Sequence, residues 1–152
     1  MGPSENFKVV GKLTIDLFDE AGALKASKTV DNLVVTAGLG FITSRMTGTS
    51  SAVMSHMAVG TSATTPARAD TALGAEVGRV ALASATVSTV TYTNDSIIYI
   101  ATFGAGVGTG ALTEAGVLNA SSAGTLLCHT TFATVNKTST DTMSITWTVT
   151  VN

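Results

Sequence analysis

The sequence predicts an all-β protein: an antiparallel β-sandwich of jelly-roll or Greek-key type, about eight strands with one short helix near residues 36–47. Three observations carry this expectation. The 152 residues include 27 Thr and 14 Ser beside 15 Gly and only 2 Pro, and β-branched side chains fit a pleated, half-buried surface. Apolar and polar residues alternate with period two in several stretches. Clusters of Gly, Ser, Asn and Asp separate those stretches, as turns require.

The elements follow in order. In residues 7–19, Leu13, Ile15 and Leu17 share one face opposite Thr14, Asp16 and Phe18, which predicts a strand. Glu20-Ala21-Gly22-Ala23 supplies a turn, and Leu24 to Val35 returns as the second arm of a hairpin. Leu39, Ile42 and Met46 then follow helical spacing, with Thr36 as the expected N-cap and Gly48 just past the end. Met54 to Val59 predicts a short strand, and residues 61–72, with Pro66 and small polar side chains, a surface loop. Glu76 to Thr93 reads as one long β-stretch ending at the Asn94-Asp95 turn. Ile97 to Phe103, a shorter strand around Leu112 to Leu118, and Thr125 to Val135 follow, with a glycine-rich loop at 104–110. In the last strand Met143, Ile145, Trp147, Val149 and Val151 face one side and Thr142, Ser144, Thr146, Thr148 and Thr150 the other. Trp147 is the expected core anchor.

The length fits a single domain spanning 1–152, with residues 1–10 a candidate N-terminal arm or tail. Such a domain buries about two-thirds of its unfolded surface and needs no metal or disulfide staple. Charged residues make up 12% of the chain, against about 25% in an average soluble protein, and the formal net charge is −2. This balance lacks the basic footprint of a nucleic-acid binder or a polybasic membrane-surface protein. The uncharged run Ser96 to Thr113 is broken by Gly104, Gly106, Gly108 and Gly110, which argues against a membrane helix. The polar start, MGPSENFK, does not read as a signal peptide. A mean hydropathy of +0.41 is high for a soluble monomer and predicts apolar contact with another protein.

Candidate chemistry is sparse. Gly106 to Ala111 matches GxGxxA, but a dinucleotide site needs those glycines to open a helix with an acidic residue about twenty positions on. Here they lead into the turn-rich LTEAGVLN, so a loop between strands is expected and no cofactor is assigned. Cys128 and His129 are adjacent on a strand and point to opposite faces, one a core thiol, the other a surface or interface imidazole. With His56 they make neither a metal set nor a nucleophile–base pair. Asp16, Asp31, Asp70, Glu76, Asp95, Glu114 and Asp141 are scattered, and no spacing pairs two of them for acid–base work. Arg79 beside Glu76, and Glu114, are expected as ion pairs or loop anchors. No catalytic, cofactor or metal residues are therefore assigned.

Four stretches carry a resemblance: NLVVTAGLGFITSRM (32–46), HMAVGTSATTPARADTALGAEVGR (56–79), YIATFGAGVGTGALTEAGVLNASSAGTLLCHTTFATVNK (99–137) and DTMSITWTVTV (141–151). Their order and texture resemble small virion structural proteins of tailed bacteriophages, described as head decoration (cement) proteins or as tail or tail-fibre proteins. The resemblance covers roughly residues 30–152 and brings no catalytic residues with it. This texture, the single small domain and the apolar excess together predict a non-enzymatic capsid decoration protein, assembled in the host cytoplasm, whose partner is the major capsid protein of the head. A homotrimer is expected on symmetry grounds, with Phe7, Val9 and Val10 as the contact residues of an arm. The alternative is a tail-associated module in which loops 61–72 and 104–110 touch the host surface. A small hydrolase would need a cluster of titratable residues that the sequence does not display.

Overall fold

The computed structural model describes Gly2 and residues 5–49 and 51–152. Its strands are β1 (Val9–Phe18), β2 (Leu24–Val34), β3 (His56–Gly60), β4 (Glu76–Ala81), β5 (Ser84–Ser88), β6 (Ser96–Phe103), β7 (Gly110–Leu118), β8 (Leu126–Lys137) and β9 (Thr142–Val151). One helix, α1 (Thr36–Met46), follows β2. All nine strands lie antiparallel in one curled sheet, in the order β4-β3-β7-β8-β2-β1-β9-β6-β5. The predominantly β class is as predicted. No helix among the described residues is long and apolar enough to cross a membrane.

The curl has two causes. Strand β2 pairs with β1 along most of its length but with β8 only at Leu33–His129 and Val34–Cys128, so a narrow seam joins the halves of the sheet. At the far edges β4 and β5 are joined by Leu82 and Ala83 alone. The Leu82 amide donates to Ser55 O (2.8 Å), beside β3, and the Ala83 amide to Ile100 O (2.7 Å) in β6. One stretch of chain thus spans both edges. The count of nine rather than eight arises here: the predicted Glu76–Thr93 stretch divides at residues 82–83 and ends as a strand at Ser88.

The core sits inside the curl. Leu13, Ile15, Met143, Ile145, Trp147, Ala101 and Phe103 from one half meet Met57, Val59, Leu112, Val117 and Cys128 from the other in one apolar cluster. Full burial of side chains of this size contributes about 1.5–3 kcal/mol each. Trp147 is the expected anchor, and its indole Nε1 donates to Asn32 Oδ1 at 2.9 Å. The outer threonines of β9 are half-buried, apart from Thr150, which is buried and bonded to Ser96 Oγ.

Helix α1 packs on β8 through Gly38, which lies against the Leu127 backbone, while Leu39, Phe41 and Ile42 reach the core cluster. Two details differ from the sequence expectation. The N-cap is Val35, with no side-chain capping bond, and the Thr36 amide instead donates to Arg68 O at 2.8 Å. Met46 is exposed, so the apolar stripe ends one turn early. The expected arm is also shorter than residues 1–10. Lys8 exchanges backbone hydrogen bonds with Asn152, and Val9 and Val10 pair with Val151 and Thr150 inside β1. Residues 1, 3 and 4 of that segment lie outside the described residues.

Candidate functional site

Loop 61–75 covers the outer face of β3, β7 and β8, and a buried carboxylate holds it there. The β7–β8 register shifts between Leu112 and Glu114, where Thr113 alone stands opposite Phe132, Ala133 and Thr134 of β8. Leu112, Ala115 and Val117 all face the core; unbroken alternation from Leu112 would send Glu114 inward as well. At this irregularity Glu114 turns to the outer face, the re-aiming that bulges provide. Gly60 makes the space, because a Cβ there would strike Glu114 Oε1 and Ala75 O.

Glu114 is fully buried. Its Oε1 accepts the amides of Ala75 (2.7 Å) and Ser62 (3.3 Å), and its Oε2 accepts the Gly74 amide (2.9 Å) and faces His129 Nε2 at 2.9 Å. The other ring nitrogen, Nδ1, faces Asp70 Oδ2 at 2.8 Å. Each ring nitrogen thus faces one carboxylate oxygen. Asp70 Oδ2 also accepts the Ala67 amide (2.8 Å). That amide first, and His129 second, hold the Asp70 carboxyl below its ordinary range. Arg68, on the same loop, donates to Val34 O at 2.9 Å.

The chemistry open to this cluster follows from its saturation. A carboxylate offers about four lone-pair positions, and three amides together with the His129 ring occupy those of Glu114. Both nitrogens of His129 are likewise engaged. Neither side chain keeps a polar atom free to take a substrate proton or a metal, so the arrangement works as a clamp on loop 61–75.

A second cluster anchors the glycine-rich loop 104–110. Buried Lys137 donates from Nζ to Gly104 O and Asp141 O, both at 2.8 Å, and the Gly106 amide donates to Ser139 O. Desolvation lowers the Lys137 pKa, and the neighbouring Asp141 opposes that shift. Asp141 Oδ2 accepts from Lys25 Nζ (2.7 Å) and the Thr138 amide (2.8 Å), which hold its carboxyl down at about 2. The loop links β6 directly to β7, with Gly106, Gly108 and Gly110 at positive φ. It leads into a strand, not a helix.

The other sequence candidates are placed as follows. Cys128 is buried in the core, where desolvation pushes its thiol pKa up, away from nucleophilic use. His129 lies on the opposite face as expected, but it is buried in the clamp, not a surface or interface imidazole. His56 Nδ1 lies 2.8 Å from Ser55 Oγ. Arg79 and Glu76 form a bidentate pair (2.7 and 2.8 Å), and Arg79 also ties down Ala120 O and Ala123 O. Glu114 is the loop anchor expected of it. Asp95 accepts the amides of Val90, Thr91 and Tyr92 and organises loop 89–95; those amides hold its carboxyl well below the usual range. Of the three expected contact residues, Phe7 is 69% exposed and Val10 42%, whereas Val9 packs against the core.

The sequence reading missed that Asp70, Glu114 and His129 meet. The one available signal was a glutamate in a strand otherwise made of small and apolar residues. Comparison of the chain with family models, with curated proteins and with solved structures gives no match.

Proposed function

We propose that this protein is a non-enzymatic structural protein of a tailed-bacteriophage virion, a decoration protein that binds and stabilises the major capsid lattice. The observation that carries the reading is the surface. In a chain with 12% charged residues, Val53, Val87, Val90 and Tyr92 are each more than half exposed, Val53 and Val87 on one hollow and Val90 and Tyr92 on one loop, and apolar side chains grouped in water mark contact surfaces. The saturated Glu114–His129–Asp70 clamp supports the same reading, since its polar atoms are committed to holding a loop. Many copies on one lattice engage together, so modest affinity per contact suffices. On this reading the curled sheet is a sandwich of jelly-roll type, supported by the mixing of side chains from both halves in one core. The protein then acts at the capsid surface without a cofactor, as a homotrimer.

Electron microscopy of purified virions, labelled with an antibody fragment verified against the folded protein, tests the proposal. Label spread over the head is the expected result. Absence of both the label and, by mass spectrometry, the chain itself from virions overturns it.

One observation favours a second reading as a tail module that contacts the host surface: Tyr92 is 68% exposed on loop 89–95. An exposed aromatic offers an apolar face with a polar tip, suited to stacking on a sugar. Label confined to the tail, with binding of the purified protein to host surface polysaccharide, selects this reading.

A further inference from the structure

An apolar groove of about 420 Å³ runs between α1 and the β5–β6 edge, walled by Phe41 and Ile42 and floored by Ile97 and Val151. It continues past Val87 towards Val53. Its charged rim residues are Arg45, on α1, and Asp95, at the start of β6. The strand-bearing end of the chain begins beside it, since Val9 pairs with Val151. Just upstream, Phe7 stands 69% exposed between Glu5 and Lys8, outside its own groove.

We propose that the groove receives the N-terminal segment of a second copy of this chain, with Phe7 seated against Phe41 and Ile97, Glu5 beside Arg45, and Lys8 beside Asp95. Charge order argues for this occupant: an acid and a base flank the aromatic, and a base and an acid rim the groove. Position argues for it too, because each segment leaves the sheet at the rim of its own groove, so neighbouring copies can exchange segments over a short distance. Arm and groove are different patches, so the contact closes either by reciprocal exchange in a dimer or head-to-tail in a ring. A phenylalanine buries about 150–250 Å², and a few such contacts fall short of the roughly 1,200–2,000 Å² of a stable complex. The association is therefore weak, with a dissociation constant on the order of 10–100 µM. The contact is between copies and does not depend on the virion reading, which its failure leaves standing.

Sedimentation velocity of the full chain, from about 10 µM to 1 mM, reads the association directly. The expected result is a concentration-dependent closed oligomer whose dissociation constant rises at least about tenfold in Phe7→Asp. Glu5→Lys and Arg45→Glu each weaken it as well, and the double variant recovers most of the loss, which a mere folding defect does not do. Unchanged thermal midpoints by circular dichroism verify that each variant is folded. A monomer throughout the range overturns the proposal. So does an oligomer indifferent to Phe7→Asp and Glu5→Lys, or failure of the double variant to recover.

Discussion

Glu114 shows how much one buried side chain holds in place. Its two oxygens make four polar contacts, three of them hydrogen bonds from backbone amides of a single loop and the fourth to the His129 ring. Glu114→Gln keeps the shape but sets an NH2 group against N–H donors whichever way the amide turns. The expected cost is about 3 kcal/mol, since buried donors lose their acceptor. It is read as a lower urea midpoint, with amide exchange accelerated first at Ser62, Gly74 and Ala75. Asp141 makes a prediction about acid. Its folded pKa, about 2, is depressed from 3.8 chiefly by the Lys25 ammonium. A depressed carboxyl contributes stability that is fully present above about pH 4 and lost as pH falls towards 2. Urea unfolding at pH 6, 4 and 2 is expected to show the advantage of wild type over Lys25→Met shrinking across that window. The burial of Trp147 was legible from its place in a strict alternation, but its bond to Asn32, 115 positions away, was not.

At the scale of elements, two glycines of α1 predict opposite outcomes. A Cβ on Gly38 would run into the Leu127 backbone, whereas one on Gly40 meets nothing within 4 Å. Gly40→Ala is expected to stabilise by up to about 1 kcal/mol through helix propensity. Gly38→Ala is expected to destabilise by about 2 kcal/mol or more by lifting the helix from β8. Thermal and urea unfolding of the two variants read the difference. The sequence announced elements whose faces are governed by local pattern: the β1–β2 hairpin, with Leu13, Ile15 and Leu17 inward; the span of α1; and β9. It did not announce the break at Leu82–Ala83, because residues 76–88 contain no proline and no turn cluster. That bend exists only because one half pairs with β3 and the other with β6. The clamp was hidden for a related reason. Both faces of β8 are covered, one by the core and the other by loop 61–75. A histidine on the face opposite Cys128 is therefore as buried as the thiol. Its partners stand 15 and 59 positions away, at no spacing that a local pattern records.

For the whole molecule, pairing order sets the pace of folding. Strand β1 lies between its sequence neighbour β2 and the final strand β9, and Val9 meets Val151. Closing the largest of those loops precedes any gain from the central contacts, so refolding is expected on the millisecond-to-second scale of high-contact-order β-proteins. Stopped-flow dilution from urea, followed by Trp147 fluorescence, checks this.

The exchange of hydrogen bonds between Lys8 and Asn152 has a topological consequence. The two ends of the described fold lie side by side, so a short linker can make the backbone a continuous ring that is opened elsewhere. Opened at the exposed turn around Gly22, the ring yields a permuted chain in which β9 runs through the linker into β1 as an ordinary hairpin. The β1–β9 pairing becomes local, and the β1–β2 pairing, now between the first and last strands of the chain, becomes the longest-range one while the native contacts stay the same. Such a permutant trades one end-to-end closure for another, so it is expected to refold on the parent's timescale at similar stability, because β1 lies between two partner strands and an opening beside it leaves only one of them its neighbour along the chain.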